Sequence, residues 1–217
     1  MSQHTFAIKG VTPLLMSRDY QMEVTDDEQK AEGKKRETLL EKEQRIWKNK
    51  AHQDESGNIF LPVQWPFYSI IESQSLTGCP IKPKGASRKN ATCRDAFTQA
   101  LLFTGTAFNK RNAGLEGVPL MNGKAAYNID KATPYGTTVH RAKGKQTTSL
   151  PCVRPQFPCP WSAEFTFEMN DDICELDHVV EAMQWIGLRW GFGAFNRRHK
   201  GNFGLFEVTA VDGKAVK

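Results

Sequence analysis

The chain has 217 residues, 39% of them hydrophobic and 24% charged, which is ordinary for a globular protein and excludes wholesale disorder. This length predicts one domain, residues 1–217, with inserted loops. No apolar run reaches the roughly 18 residues of a membrane helix, and residues 1–10 lack the order of a secretion signal. Five scattered cysteines show no disulfide spacing. We therefore expect a cytoplasmic protein without a membrane partner.

The net charge of +5 is distributed unevenly along the chain. Lysine and arginine concentrate in three segments, 82–111, 141–154 and 189–200, whereas acids concentrate in 23–55 and 164–181. Clustered cations bind polyanions favourably because they release condensed counterions. The pattern favours a surface that faces nucleic acid, although each segment taken alone could equally be a solvated loop.

The N-terminal half contains strand and helix signals separated by charged or turn-rich stretches. Residues 5–11 alternate as a strand does, and Pro13 ends the pattern. The charge-dense stretch 23–53 predicts a mobile segment followed by a helix. A turn then precedes a strand at 59–62 and a helix in which Phe67, Ile70 and Ile71 have helical spacing.

The middle of the chain has weaker patterns. Residues 78–91 predict a loop, 95–103 a short helix or strand, and 105–144 short strands with long loops. We expect 78–144 to be an inserted region of the domain.

The C-terminal third is clearer. Residues 161–169 alternate between apolar and polar at every step, which predicts a half-buried strand. Apolar residues at helical spacing predict an amphipathic helix over 176–187, and a last strand follows at 203–211. This order predicts an α+β fold with a ferredoxin-like, RNA-recognition-type antiparallel sheet, helices on one face and long inserted loops.

The glycine-rich segment 187–204 is the most distinctive motif. Its glycines permit positive φ and let a partner's backbone approach closely, while Arg197, Arg198 and Lys200 could meet phosphates beside the rings of Phe192 and Phe195. The alternative is a tight turn between helix and strand with Phe192 in the core.

Sequence motifs of catalysis are weak. No Gly-Lys-Ser/Thr phosphate loop occurs, and Cys152 and Cys159 have no paired partners with zinc spacing. His140, His178 and His199 lie in different elements, so no triad or reactive thiol is indicated. We predict no enzyme activity, no cofactor and no metal. A metal-dependent nuclease that uses Asp19, Asp26 or Asp27 is a weaker alternative.

Three landmarks, residues 8–16, 57–62 and 187–208, resemble the RAMP superfamily, which includes the backbone subunits of CRISPR effector complexes. The chain is more similar to small stand-alone bacteriophage relatives, which share the opening motif and an Arg-Pro-x-Phe followed by Trp, here 154–157 and Trp161. The resemblance implies a modified RNA-recognition fold, with a thumb inserted in 78–144 and subunits that stack along a single strand. The glycine-rich motif lacks the arginine-containing pattern of guide-RNA-processing members.

We therefore predict a non-enzymatic protein that binds single-stranded DNA or RNA and self-associates along the strand. One alternative is a protein-interaction module, such as an inhibitor or assembly factor, that docks through 23–50. Another is a CRISPR-type guide-RNA-binding backbone subunit. The predicted nucleic-acid-binding residues are Lys82, Lys84, Arg88, Lys89, Arg94, Arg141, Lys143, Lys145, Arg189, Phe192, Phe195, Arg197, Arg198 and Lys200, with Trp65 as a further stacking ring.

Overall fold

The computed structural model describes residues 1–17, 37–75, 78–85, 91–105, 107–109, 115–143 and 146–216. The helices are α1 (Leu39–Ile46), α2 (Gln64–Ser73), α3 (Arg94–Ala100) and α4 (Leu176–Arg189). The strands are β1 (Ser2–Gly10), β2 (Leu14–Leu15), β3 (Phe60–Pro62), β4 (Leu101–Thr104), β5 (Ala107–Asn109), β6 (Leu115–Pro119), β7 (Met121–Asn122), β8 (Ala125–Ala126), β9 (Thr133–Lys143), β10 (Gln146–Phe157), β11 (Ser162–Met169), β12 (Phe206–Val211) and β13 (Lys214–Ala215). Short 3-10 turns occupy Trp47–Lys50, Ile129–Lys131 and Arg197–His199.

A central antiparallel sheet organises these elements. Its four main strands lie in the order β12-β1-β11-β4, and every neighbouring pair is antiparallel. Helices α2 and α3 lie between β1 and β4 in the chain, and α4 lies between β11 and β12. This is the ferredoxin-like arrangement, so the predicted α+β fold class is confirmed.

The core lies between this sheet and the helices. The alternating pattern of β11 places Phe165 and Phe167 inward with no exposed surface. The Phe167 ring stacks between Phe6 and Phe103, with ring centroids 5.0 and 5.1 Å away. Helix α4 contributes Met183 and its buried neighbours from the opposite side. Each such side chain stabilises the fold by about 1.5–3 kcal/mol when it is buried.

The outer face of the sheet is polar and differs from that of a typical RNA-recognition module. That module stacks bases on aromatic side chains of its sheet. The outward positions of β1 and β11, which are described in full, hold no aromatic residue: they are Gln3, Thr5, Ala7, Lys9, Ser162, Glu164, Thr166 and Glu168. A stacking platform of that kind is therefore missing from these two strands.

Strands β9 and β10 form a long hairpin that the sequence patterns did not predict. Eleven consecutive residue pairs join them, and Pro134 lies opposite Pro155. Prolines interrupt an alternating pattern and donate no ladder hydrogen bond, but they are tolerated where a strand edge is unpaired. Within the described residues, the only further pairing of strand β10 beyond β9 is with the two residues of β2. The hairpin extends past residue 144, the predicted end of the inserted region.

The helix predicted in the second half of 23–53 is confirmed as α1, whereas residues 18–36 lie outside the described part of the chain. The segment 95–103 forms both α3 and the start of β4. Residues 78–85 contain neither helix nor strand, as a loop requires. The strand predicted over 203–211 is β12, which begins at Phe206, three residues later than predicted, and the short strand β13 follows it.

Trp161 connects the opening motif to the centre of the sheet. Its side chain is fully buried, and its indole Nε1 donates a hydrogen bond of 2.8 Å to the backbone oxygen of Thr12. The indole fills the space beside Gly10, where a Cβ atom would lie 2.2 Å from the ring. Gly10 and Trp161 therefore depend on each other, which explains why two of the motifs noted in the sequence lie in contact.

We predict that Gly10→Ala destabilises the protein by about 1–3 kcal/mol, because the new methyl group must displace a buried ring. The melting temperature should fall by roughly 2–4 °C per kcal/mol for a chain of this size. The control is Gly136→Ala, at a position where a Cβ atom meets nothing within 4 Å. Equal melting temperatures for the two variants, measured by circular dichroism, would contradict this packing argument.

Candidate nucleic-acid interface

One arginine from each basic segment lines a pair of adjoining cavities. The first cavity, of about 470 Å³, is lined by Arg94 at the start of α3 and by Arg198. The second, of about 520 Å³, lies between α2, β10 and the glycine-rich loop, and it is lined by Arg154 and again by Arg198. Glu72 lines both cavities. We call the two cavities together the arginine groove.

Arg198 lies where the two cavities meet. Its guanidinium forms a salt bridge with Glu72 and lies 4.5 Å from the ring centroid of Trp190. Among the described residues that line the two cavities, Glu72 is the only acidic one. Three arginines there face one carboxylate, so these lining residues carry an excess of positive charge.

Other predicted cations of the third segment hold the loop or remain in solvent. Arg197 donates hydrogen bonds of 3.0 Å to the backbone oxygen of Leu188 and 3.2 Å to Asn202 Oδ1, so it secures the loop after α4. Arg189 and Lys200 are exposed. Arg189 ends α4, where a cation also interacts favourably with the helix dipole.

The first basic segment is divided between two places. Lys84 forms a 2.7 Å salt bridge with Glu175, just before the first residue of α4. Helix α4 is about 20 Å long at 1.5 Å per residue, so Lys84 lies at the opposite end of α4 from Arg189. Lys82 is exposed. Of the first segment, only Arg94 lines the groove among the described residues.

Three of the predicted nucleic-acid-binding residues lie outside the described part of the chain: Arg88, Lys89 and Lys145. Arg141 and Lys143 belong to β9, of which only the backbone is described at these positions.

The expectation that Phe192 stacks on bases was wrong. Its ring is 1% exposed and packs against Phe206 and Phe165, with centroids 4.5 and 6.0 Å away. Phe195 is only partly buried, and its ring lies 4.6 Å beneath the guanidinium carbon of Arg154. Trp65, half-buried against Phe192, and Tyr68, 58% exposed, are the rings that line the second cavity from α2. The helical spacing of Phe67, Ile70 and Ile71 predicted α2 but not that Tyr68 faces a cavity.

The glycines of the loop serve contacts within the chain. At Gly193, with φ of +78°, a Cβ atom would lie 2.3 Å from the backbone oxygen of Leu15. The next amide, of Ala194, donates to the same oxygen at 2.8 Å, and the Gly204 amide donates to Pro13 at 2.8 Å. The expectation that these glycines admit a partner's backbone is thus corrected at Gly193, because the backbone that approaches there is the chain's own.

Sequence patterns did not indicate a cluster of Ser2, His4 and Asp212 that has the order of a hydrolase triad. His4 Nε2 lies 2.7 Å from Ser2 Oγ, and His4 Nδ1 lies 2.7 Å from Asp212 Oδ2. Ser2, however, donates its hydroxyl hydrogen to Asp171 Oδ1 at 2.6 Å. These contacts join the ends of β1, β11 and β12. The cluster becomes visible only when the strands pair, because Asp171 and Asp212 lie far from Ser2 and His4 in the sequence.

The buried thiols are poor nucleophiles. Burial raises the pKa of Cys93 to about 11 and that of Cys174 to about 12. Both remain neutral near pH 7, whereas a reactive cysteine needs a lowered pKa.

In the described part of the chain, no three His, Cys, Asp or Glu side chains cluster as metal ligands would. The carboxylates proposed for a nuclease, Asp19, Asp26 and Asp27, lie outside it. No helix within the same residues is long and apolar enough to cross a membrane.

Comparison with solved structures identifies the class of fold. Twenty-four chains match, among them one from a cryo-EM structure of the type III-B Cmr-beta complex bound to cognate target RNA. The match has a TM-score of 0.50 and 15% identity, and it covers 97% of this chain and 59% of that chain. This chain thus spans about three fifths of its neighbour's length. At this identity the likeness shows the fold alone.

No family model matches the chain, and no curated protein matches it. The resemblance to bacteriophage relatives stays a prediction.

The carboxylates beside Ser2 and His4 should make stability pH-dependent. Burial alone would raise the pKa of Asp212, but hydrogen bonds from His4 and the Thr5 amide lower it below its usual 3.8. The hydrogen bond from Ser2 lowers the pKa of Asp171. Because both pKa values are lowered by folding, this stabilisation is complete above about pH 4 and is lost as the pH falls through the folded values.

We predict that Asp212→Asn lowers the free energy of unfolding at pH 7 by about 1 kcal/mol, since the partly exposed charge is screened. Asparagine tolerates the positive φ of this position. The melting temperature, followed from pH 7 to pH 3, should fall less steeply below pH 4 than in the wild type. Exposed Asp172→Asn is the control. An unchanged pH profile in Asp212→Asn would refute the assignment.

Proposed function

We propose that the protein binds single-stranded nucleic acid through the arginine groove and acts without catalysis. The observation that supports this proposal is the meeting of Arg94, Arg154 and Arg198, one from each basic segment, around two cavities whose described lining residues include a single carboxylate, that of Glu72. Arginine binds phosphate well because its planar fork donates several parallel hydrogen bonds.

The aromatic side chains of the groove favour a single strand over a duplex. Tyr68 is largely exposed, and Trp65 and Trp190 are partly exposed beside the arginines. Unpaired bases can stack on such rings, whereas the bases of a duplex are already stacked on each other. The absence of aromatic residues from the outward positions of β1 and β11 also favours this side of the molecule over the sheet face.

The structural neighbour offers independent support. It belongs to a complex that was solved with target RNA bound. A RAMP-like fold is therefore compatible with an RNA ligand, and a CRISPR-type backbone subunit is the nearest functional alternative. Fold likeness does not transfer function by itself, so support must come from the residues of the groove.

We predict salt-dependent binding of oligonucleotides of about 16 nucleotides or longer. Arg94→Ala and Arg198→Ala should each weaken binding and reduce the slope of log K against log salt by about 0.7. Glu72→Gln should strengthen binding, because it frees Arg198 from its salt bridge. Fluorescence anisotropy at several salt concentrations measures all three effects.

Lys124→Ala is the charge-matched control for these variants, since Lys124 is exposed and lines neither cavity. Binding that does not depend on salt, or equal losses in Lys124→Ala and Arg198→Ala, would exclude the groove as the binding surface.

Protein docking is a second candidate function, and helix α1 supports it. Leu39 and Leu40 are adjacent and 57% and 49% exposed. The helix is held against β10, because Glu43 forms a salt bridge with Lys50 and accepts a 2.8 Å hydrogen bond from the Val153 amide. It therefore presents its leucines at a fixed position, where a partner or a second copy could bury them.

If α1 mediates self-association, Leu39→Glu with Leu40→Glu should yield a smaller species than the wild type in sedimentation at micromolar concentration. Because both leucines are exposed, the melting temperature should change little. Identical sedimentation of the two proteins would remove α1 from consideration as a contact between copies.

A further inference from the structure

Strand β4 forms an open edge of the central sheet. Among the described strands, only β11 pairs with β4. Natural proteins commonly protect such an edge with charged residues or prolines, because its unpaired backbone groups recruit another strand. Strand β4 reads Leu-Leu-Phe-Thr and has neither kind of protection. At the other end of the sheet, by contrast, β12 is paired with β13, which begins with Lys214.

The hydrogen bonds of the ladder show which backbone groups of β4 face away from β11. The Asn170 amide donates a hydrogen bond of 3.0 Å to the backbone oxygen of Ala100. Because bonded pairs alternate along an antiparallel ladder, the backbone groups of Leu101 and Phe103 point to the open edge. The Leu101 amide donates to the Phe97 oxygen. The Leu101 oxygen and both backbone groups of Phe103 have no hydrogen-bond partner among the described residues.

A cavity of about 320 Å³ lies beside this edge, between α2 and β6. Its apolar lining comes from Val63, Phe67, Leu101 and Phe103. In a strand added to β4, the residue opposite Phe103 would direct its side chain to the same face of the sheet as Phe103 does. That side chain would enter the cavity, which has room for one bulky apolar group.

The outward side of the same edge offers an apolar residue next to carboxylates. Leu102 is 56% exposed, and Glu168 lies opposite it in β11. Glu116, an exposed residue of β6, lines the cavity. Neither Glu116 nor Glu168 forms a salt bridge with any described residue. Charge complementarity therefore favours an incoming strand that carries lysine or arginine beside its apolar residues.

We propose that the edge of β4 is a docking site for an extended, basic segment of a partner protein, which adds a strand to the central sheet. Backbone hydrogen bonds to Leu101 and Phe103 hold the segment, and one bulky apolar side chain in the cavity selects it. Its cations meet Glu116 and Glu168. This inference goes beyond the proposed function, since no nucleic acid takes part in it.

Other occupants fit this edge less well. A nucleic acid would bring phosphates towards the carboxylates of Glu116 and Glu168, and like charges repel. A second copy that paired through its own β4 would supply no cation from that strand, and it would bring a second set of the same carboxylates to the interface. A segment with alternating apolar and basic residues satisfies the backbone groups, the cavity and the charge together.

The probe for this site is a fluorescent peptide of sequence Thr-Lys-Val-Lys-Phe-Lys-Val-Lys-Thr, which alternates as a half-buried strand does. A matched control peptide carries an N-methyl group on the amide of the central phenylalanine. This group removes one hydrogen-bond donor and keeps every charge and side chain. Fluorescence anisotropy should show that the first peptide binds and that the methylated one binds about tenfold more weakly.

A pair of charge-matched variants tests the location of the site. Leu102→Lys should weaken binding of the peptide by about tenfold, because it places a like charge on the edge and offsets that of Glu168. Leu188→Lys adds the same charge at a leucine of α4 that is 52% exposed, and it should bind the peptide as the wild type does. Because both leucines are exposed, the melting temperatures of the two variants should stay close to that of the wild type.

Amide hydrogen exchange, followed by NMR, measures the backbone pairing directly. In the free protein, the Phe103 amide should exchange faster than the amides of Leu102 and Thr104, which face β11. Saturating peptide should slow the exchange of the Phe103 amide.

The possible results either support strand addition or overturn it. Absence of peptide binding, equal binding of the two peptides, or an unchanged Phe103 amide at saturating peptide would each overturn it. Equal losses in Leu102→Lys and Leu188→Lys would reduce the interaction to general charge attraction. If the Phe103 amide becomes protected when the concentration of the protein alone is raised, the occupant is a second copy, and the assignment to a partner segment is wrong.

Discussion

The arginine groove depends on the backbone hydrogen bonds that join the loop after α4 to residues 13–15. These bonds place the loop against β2, and β2 pairs with the end of β10. The contact thereby brings Phe195 and Arg198 of the loop beside Arg154 of β10. Since the close approach at Gly193 leaves no room for a side chain, the groove requires glycine there for structural reasons. The residues that line the groove and the hydrogen bonds that hold the loop in place therefore belong to the same short segment.

Among the described residues that line the groove, the carboxylate of Glu72 offsets part of the arginine charge. Glu72 pairs with Arg198, while Trp190 lies under the same guanidinium. A phosphate that entered the groove would have to compete with Glu72 for Arg198. The two arginines differ in their contacts: Arg198 lies between Glu72 of α2 and the Trp190 ring, whereas Arg154 of β10 lies over the ring of Phe195.

Local patterns predicted the central sheet well and the groove only in part. The strict alternation of β11 and the helical spacing of α4 reflect burial on one face, which a sequence displays directly. The β9–β10 hairpin was not predicted, because Pro134 and Pro155 interrupt the alternation of apolar and polar residues that is typical of a strand. The basic segments were visible, but only folding separates Lys84, paired with Glu175, from Arg94 in the groove. Likewise, the sequence left open whether Phe192 is exposed for stacking or buried, and only its contacts with Phe165 and Phe206 in the folded core show that it is buried.

The location of the groove follows from how this fold distributes its aromatic residues. In β11, phenylalanines alternate toward the helices and leave serine, threonine and glutamate outside. Exposed and half-exposed rings occur instead on α2 and after α4, next to the arginines. Base stacking and phosphate binding need rings and cations within one nucleotide of each other. In the described part of this chain that condition is met at the groove and not on the outward face of β1 and β11, so the proposed binding surface lies on the helical side of the ferredoxin-like sheet.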